Sequence, residues 1–273
     1  MKLQDRIFFT ALLIILITTS TSYARMSIIG GLSHERKTAS GEIYKGSIII
    51  KNSDIKPQEI KIYQTDYTFQ CDGTNEYGVA GELERSNAKW LSFSPNRMII
   101  PSESTMTVNY TMKVPAGDPN LAGTYWSMLM VEEIPETSPE SSLAEEITPQ
   151  VGIIQIIRYG IQMVTHIEDT GERKLEFLET KLLRKEDKRI LKVDIGNTGQ
   201  RWLRSSLWVE LYDDTGRYIG RFENDRRRIF PGASVRFKID LSNVPKGSYQ
   251  SLVVADCGGD DIFGTNLTLK FDE

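Results

Sequence analysis

The chain is poor in the residues that build redox, metal and disulfide chemistry. Its 273 residues include two cysteines and two histidines. It has no Gly-x-Ser-x-Gly, His-Glu-x-x-His or glycine-rich phosphate-binding sequence. Two cysteines cannot form a disulfide-rich scaffold, and two histidines leave little material for a zinc site or a His-based catalytic set. We therefore predict a protein that is not an enzyme, holds no metal and no cofactor, and is stabilised by apolar burial.

An excess of positive charge is also missing. Lys and Arg total 33 against 37 Asp and Glu, which gives a formal net charge of −4. A mildly acidic balance argues against a polyanion-binding surface, so nucleic acid is not an expected partner. After the N-terminal segment we find no apolar run long enough to span a membrane, and we expect no membrane span in the mature chain.

The first 24 residues have the features of a secretory signal peptide. Lys2 and Arg6 give a basic start, an apolar run follows from Ile7 to Ile17, and Ser22-Tyr23-Ala24 has the small-x-small pattern of a cleavage site. We predict cleavage after Ala24 and a periplasmic or secreted protein. The alternative is an uncleaved membrane anchor.

The remaining sequence alternates between apolar and polar residues with a period of two. This pattern places one row of side chains in a core and the other in water, as in a β-strand. It predicts a core-facing row in three segments: Met106, Val108, Tyr110 and Met112; Leu191, Val193 and Ile195; and Val235, Phe237, Ile239 and Leu241.

Turn residues separate these segments at short intervals, without intervening helices. About fourteen candidate strands, or about seven per half, predict an all-β protein of two tandem immunoglobulin-like β-sandwiches after the signal peptide. We place the first domain at 25–169 and the second at 170–273. The join near Glu168–Glu172 is polar and short, which suggests a fixed elbow.

One long connection, 135–150, interrupts the first domain. It is rich in Pro, Ser and Glu, so we expect it to be mobile and exposed, either as a functional loop or as a disordered insertion. The strand that follows, 151–164, is strongly apolar. It is either a central strand covered on both faces or an accessible strand that pairs with an extended segment of another protein.

The order of these elements carries a family resemblance. The elements are Gly46-Ser-Ile-Ile-Ile-Lys-Asn52, Ile60-Lys-Ile-Tyr63, Ile99-Ile-Pro-Ser102, Leu121 to Val131, the long loop, and Arg158-Tyr-Gly-Ile-Gln-Met163. Together they resemble the first domain of bacterial pilus-assembly chaperones and of the cell-surface proteins described as WxL-interacting. Both groups have tandem immunoglobulin-like domains.

The resemblance implies a non-catalytic role in binding or assembling another extracytoplasmic protein, a protein subunit or a surface protein, by β-strand addition. Carried over from the chaperones, the client-binding strand would present Ile153, Ile157, Tyr159, Ile161 and Met163. The chaperones also keep a basic pair in the interdomain cleft, and Arg158 is the nearest basic residue to the expected position. The alternative function is a structural or adhesive cell-envelope module that binds a surface protein or peptidoglycan.

Other residue clusters have simpler explanations on sequence grounds. Cys71 and Cys257 could bridge the two domains, although two free thiols is the favoured interpretation. Arg226-Arg227-Arg228 could bind an anion, but a solvated hairpin loop is favoured. Asp256, Asp260 and Asp261 surround Gly258-Gly259 without matching a calcium-loop spacing. Trp90, Trp126, Trp202 and Trp208 are expected in the sandwich cores.

Overall fold

The computed structural model describes residues 25–143, 155–185 and 188–271, and every structural statement below concerns this part of the chain. The predicted signal peptide therefore lies outside the described residues. The first half contains β1 (Met26–Ile29), β2 (Ser33–Thr38), β3 (Ile43–Asn52), β4 (Gln58–Phe69), β5 (Asn75–Gly78), a 3-10 helix (Ala88–Trp90), β6 (Leu91–Ser94), β7 (Arg97–Ile100), β8 (Thr105–Lys113), β9 (Gly123–Ile134) and β10 (Arg158–Ile167). The second half contains β11 (Leu175–Lys185), β12 (Lys188–Asn197), β13 (Leu203–Asp213), β14 (Tyr218–Ile229), β15 (Ser234–Asp240), β16 (Gly247–Asp256) and β17 (Ile262–Phe271).

The strands form two separate sandwiches, which confirms the all-β prediction. In the first, the sheet β1-β3-β8-β6 faces the sheet β2-β10-β9-β4-β5, with β7 also paired to β4. In the second, β11-β12-β15 faces β14-β13-β16-β17. Among the described strands, none of the first ten pairs with any of the last seven. The first domain has more strands than predicted because β1, β5, β6 and β7 are only four residues long.

The first strand of the chain is broken so that it serves both sheets of the first domain. β1 pairs with β3, and β2 pairs with β10. Gly30 and Gly31 lie between them with φ of 98° and 102°, a backbone region that residues with a Cβ rarely adopt. The glycine pair thus lets the chain cross from one sheet to the other and brings β2 alongside β10.

The predicted alternation fixes most of both cores. The core-facing rows predicted from Leu191 and from Val235 are buried throughout. In the row of β8, Val108, Tyr110 and Met112 are buried, whereas Met106 is 38% exposed. Met106 lies near the start of β8, opposite Ile50 of β3.

Each domain is held at one end by a buried asparagine that finishes a strand. Asn52 ends β3, and its Nδ2 donates to the carbonyls of Lys56, Ile100 and Pro101 at 2.8, 3.2 and 3.0 Å. Asn197 ends β12, and its Nδ2 donates to the carbonyls of Arg201 and Ile229 at 2.8 and 2.9 Å. In both cases the side-chain oxygen accepts from the backbone N–H two residues later. The two domains therefore contain the same pattern of buried asparagine hydrogen bonds.

We predict that Asn197→Leu lowers the free energy of unfolding of the second domain by about 2–4 kcal/mol. The substitution strands two backbone carbonyls and one N–H in a buried place, and each unpaired group carries a desolvation cost. Chemical denaturation followed by circular dichroism measures the change. As a matched control, Asn109→Leu at an exposed position of β8 should stay within about 0.5 kcal/mol of wild type. Equal effects of the two substitutions would contradict this role of Asn197.

Candidate functional site: the edge of strand β10 and the interdomain cleft

One edge of β10 is only partly covered. On one side β10 pairs with β9 along its whole length, from Arg158 to Ile167. On the other side it pairs with β2 only from Gln162 onward. The N–H of Gln162 donates to Leu32 O on the β2 side, and Ile157 O accepts from Glu133 N on the β9 side. Because successive backbone groups point to opposite sides of a strand, Arg158 and Gly160 direct their N–H and C=O groups to the uncovered edge.

The side chains of β10 do not all lie where the client-binding prediction needs them. Ile161 and Met163 are 0% and 1% exposed within the first-domain core, so their side chains are not accessible in this structure, and their contact with a client stays a prediction. Their direction follows from the register with β9, in which Ile161 lies opposite Leu129, another core residue. Tyr159 packs against the same core, and its hydroxyl donates to the carbonyl of Met26.

The residues just before β10 are more accessible. Ile157 is partly buried and Ile156 is 47% exposed. Ile153, the remaining member of the predicted set, lies outside the described residues. The accessible part of the predicted strand is therefore its beginning, and its later half belongs to the core.

Arg158 lies on the outer face of the sheet, in an ion-pair network. Its Nε is 2.7 Å from Glu132 Oε2. Glu132 also accepts from the hydroxyl of Tyr63 at 2.6 Å and lies 3.5 Å from Lys61 Nζ. Burial acts to raise the pKa of Glu132, but the hydrogen bonds from Tyr63 and Arg158 outweigh it and leave that pKa below its usual value. The residues that line the interdomain cleft do not include Arg158, whose place in a client-binding cleft stays a prediction.

The start of the long connection is held against the sheet by a buried carboxylate. Glu59 accepts from Arg97 Nε at 2.7 Å, from Ser142 N at 2.7 Å and from Ser142 Oγ at 2.5 Å. Lys61 Nζ donates to Glu140 at 2.9 Å. Segment 135–143 is therefore fastened by hydrogen bonds, which corrects the expectation that the whole loop lacks packing. Residues 144–150 lie outside the described residues.

The two sandwiches meet through a third, smaller apolar cluster. Trp126 of β9 and Val164 of β10 pack against Phe230 and Ala233 of the second domain. The ring centroids of Trp126 and Phe230 are 4.8 Å apart. Trp126 is therefore an interdomain residue and not part of a sandwich core as predicted. The same holds for Trp202, which packs against this cluster.

Polar contacts surround this cluster and fix the elbow. Arg228 of β14 stacks over the Trp202 ring at 4.2 Å, donates to Gln162 at 3.1 Å and pairs with Glu35 at 2.5 Å. His166 stacks on the Trp202 ring at 5.4 Å. Burial, helped by Arg201, lowers the pKa of His166 to about 4, so this imidazole is neutral at ordinary pH.

The segment that joins the domains is packed as well. Arg201 donates to the carbonyls of Glu168 and Thr170. Gly171 has a φ of 88°, and a Cβ there would lie 2.5 Å from Gly123 Cα. These contacts agree with a fixed elbow.

A cleft of about 880 Å³ opens beside the interdomain contact, and one of its walls is strongly basic. Tyr67, Phe69 and the turn at 70–73 form the first-domain wall. The second-domain wall carries five cationic residues: Arg226, Arg227, Arg228, Arg236 and Lys238. Arg228 is paired with Glu35 and Arg236 with Asp194, while Arg226, Arg227 and Lys238 are exposed to solvent. The cleft is therefore suited to an anionic group.

The secondary structure of the three consecutive arginines in this wall differs from the prediction. The favoured interpretation put Arg226-Arg227-Arg228 in a solvated hairpin loop, but all three lie in β14. Glu223 and Asp225 interrupt the basic run, which made it look like an ordinary polar surface. The only available signal was the triplet itself, because the cleft depends on how the two domains meet.

The two cysteines are free thiols. Cys71 lies in the turn after β4, where its N–H donates to Ser234 Oγ of the second domain at 2.9 Å. Cys257 follows β16, and burial raises its pKa to about 11. Among the described residues, no group of three or more His, Cys, Asp and Glu side chains is placed to hold a metal ion. The described part of the chain also contains no helix long and apolar enough to cross a membrane.

No protein-family model and no curated protein matches this sequence. Several solved structures have a similar fold. One belongs to the chaperone–tip adhesin complex of CFA/I fimbriae (14% identity, 89% of this chain and 98% of the other covered, TM-score 0.49). Another is from the CsuC–CsuE chaperone–tip adhesion subunit complex of Acinetobacter baumannii (13% identity, 90% of this chain and 98% of the other covered, TM-score 0.47). A third is the class 5 fimbriae chaperone CfaA (14% identity, 89% of this chain and 98% of the other covered, TM-score 0.46). The similarity concerns the arrangement of strands and not individual residues.

We predict that Glu59→Gln releases segment 135–143 from the sheet and makes it susceptible to limited proteolysis. Hydrogen bonds from Arg97 and Ser142 outweigh the effect of burial and lower the pKa of Glu59 from 4.5 to about 2. A depressed carboxyl pKa stabilises the attachment fully above pH 4.5, and that stabilisation is lost as the pH falls toward 2. Acidification of the wild type over this window should therefore reproduce the effect of the substitution.

The matched control for this prediction is Glu136→Gln. Glu136 is an exposed carboxylate 3.7 Å from Lys56, and its loss should not change the cleavage rate. If Glu59→Gln and wild type are cut at the same rate at neutral pH, the buried carboxylate does not hold the segment.

Proposed function

We propose that this chain is a non-catalytic, chaperone-like protein of the periplasm. In this proposal it binds another extracytoplasmic protein by β-strand addition to the uncovered edge of β10. The observation that carries the proposal is the backbone of Arg158 and Gly160, which faces this edge without a strand partner among the described residues. An extended client segment there would gain main-chain hydrogen bonds, while alternate side chains would provide specificity.

The accessible apolar side chains before β10 support this location. Ile156 is largely exposed and Ile157 partly so, and they precede the uncovered edge directly. A client strand that runs along the edge would cover them. The buried Ile161 and Met163 would keep β10 rigid beneath the added strand, which reduces the entropic cost of binding.

The cleft offers a second contact for the same client. Gln162 of β10 lines the cleft together with the basic second-domain wall. A carboxylate carried by the client segment could pair with Arg227 and Lys238, which have the exposure to reach it. The client class in this proposal is a protein subunit, by likeness to the CsuC–CsuE complex, in which a chaperone is bound to a tip adhesion subunit.

The alternative, a module that binds peptidoglycan, is not favoured by the tryptophans. A carbohydrate-binding face needs exposed aromatic rings, but Trp126 is 5% exposed and Trp202 is covered by Arg228 and His166. Trp208 lies beneath Arg221 at 4.1 Å, and Trp90 packs against Tyr125. None of these four rings is free to stack on a sugar.

We predict that the double substitution Ile156→Asp and Ile157→Asp removes client binding while the first domain stays folded. The test is co-purification of the tagged protein from the periplasm of its host, with mass spectrometry of the recovered proteins and circular dichroism of each variant. Ile161→Asp should instead unfold the first domain, because it buries a carboxylate without a partner.

Ile43→Asp is the matched control for this experiment. Ile43 is 61% exposed on β3, in the opposite sheet, and its substitution should leave both folding and client binding unchanged. A folded Ile156→Asp, Ile157→Asp variant that still recovers the wild-type set of subunits would refute strand addition at this edge.

A further inference from the structure

His166 is a titratable side chain inside the contact between the two domains. It lies on the same face of β10 as Val164, which packs against the second domain, and it is 8% exposed. Its ring is stacked on that of Trp202 with 15° between the two planes. The proposed client-binding edge makes no contact through this imidazole, so its burial between the domains points to a different role.

The hydrogen bonds around Thr124 favour a neutral imidazole. Thr124 Oγ1 accepts from the backbone N–H of Trp202 at 3.0 Å and is 2.9 Å from His166 Nδ1. After accepting from Trp202, the hydroxyl still has a proton to donate, and Nδ1 of a neutral ring can accept it. A protonated ring has an N–H on both nitrogens, so Thr124 would lose this acceptor. The chain of hydrogen bonds from Trp202 through Thr124 is therefore complete only when His166 is uncharged.

The second domain surrounds the ring with positive charge. Arg201, which precedes β13, and Arg228 of β14 both act to lower the pKa of His166. Asp169 is the carboxylate beside Arg201, and it is already paired with that guanidinium at 3.1 Å. An imidazolium ion at this place would therefore meet two arginines of the opposite domain.

The first domain offers the ring little compensation. Glu35 of β2 acts to raise the pKa of His166, but its carboxylate is paired with Arg228. Lys37 of β2 lies opposite His166 in the strand register and is a further cation. Glu168, just after β10, is exposed to solvent, and the end of β9 that pairs with His166 is uncharged. A proton on this ring is thus disfavoured as long as the domains stay in contact.

We propose that His166 is a pH-sensitive latch, which holds the two domains together while its ring is neutral and lets their contact open when the ring is protonated. Opening returns the imidazolium to water and separates it from Arg201 and Arg228. The same movement takes the basic wall of the cleft away from β10, because the two walls belong to different domains. The latch is a property of the free protein and does not depend on the proposed client.

The pH range of the latch follows from the two states of the ring. Burial, and after it Arg201, lowers the pKa of His166 from 6.5 to about 4. A basic group whose pKa is lowered by a contact weakens that contact when it is protonated. The contact therefore has its full strength above pH 6.5 and loses it as the pH falls toward 4. Each pH unit contributes up to a factor of ten, so the equilibrium constant for opening rises by about 300-fold over this range.

Hydrogen exchange at two amides that cross the contact measures this opening. The N–H of Thr124 donates to Gln200 O at 2.9 Å, and that of Trp202 donates to Thr124 Oγ1. After correction for the intrinsic pH dependence of exchange, we expect the protection of both amides in the wild type to fall by up to about 300-fold between pH 6.5 and 4. In His166→Gln, whose side-chain amide stays neutral and can accept from Thr124, protection should stay constant over this range.

His34→Gln is the matched control. His34 is the only other histidine of the chain, and it contacts the Tyr110 hydroxyl of the first-domain core at 3.1 Å, so its substitution should preserve the wild-type loss of protection. This variant also leaves His166 as the single imidazole, whose titration NMR can follow directly, and we expect a midpoint well below 6.5. Unchanged wild-type protection between pH 6.5 and 4 would overturn the proposal. So would an equal loss in His166→Gln, no loss in His34→Gln, or a ring that titrates near 6.5.

Discussion

Phe230 lies against Trp126 and Val164, and this small apolar contact determines how the two domains are placed relative to each other. Each sandwich has a core of its own, so neither needs the other to bury its strands. The contact between them instead sets the angle at which the outer face of the β10 sheet meets β14 and β15. Arg228, stacked on Trp202 and paired with Glu35, reinforces that angle from one side. The basic cleft depends on this angle, because its two walls belong to different domains.

Strand β10 both packs into the first-domain core and leaves part of one edge uncovered, and these two roles fall on different parts of the strand. Its later half is paired on both sides and carries Ile161 and Met163 into the core, so it is a fixed part of the sandwich. Its first residues have a neighbour on one side only. The break at Gly30-Gly31 determines where this division falls, because β2 can reach β10 only after the chain has crossed between the sheets. An uncovered edge beside a rigid core is a suitable geometry for adding a strand.

The sequence predicted what depends on local pattern and failed where contacts join distant segments. Alternation at Leu191 and Val235 located core rows correctly because the side-chain period is intrinsic to a strand. The orientation of the apolar segment before Met163 could not be assigned, because a strand that is apolar on both sides gives no signal for its register. Glu59 and Ser142, or Arg228 and Glu35, are separated by long stretches of chain, so nothing in the local sequence indicates that they meet. The tryptophans were expected in the sandwich cores. Trp126 and Trp202 instead lie between the domains, and the contact with the distant Phe230 that places them there leaves no local sequence signal.

Amide hydrogen exchange tests, residue by residue, whether a client adds a strand to the edge of β10. In the free protein, the N–H groups of Tyr159 and Ile161 address β9 and should exchange slowly, whereas those of Arg158 and Gly160 address the open edge and should exchange fast. When the co-purified subunit is bound, we expect new protection at Arg158 and Gly160 and little change at Tyr159 and Ile161. Fast exchange at Arg158 and Gly160 in a saturated complex would contradict strand addition at this edge.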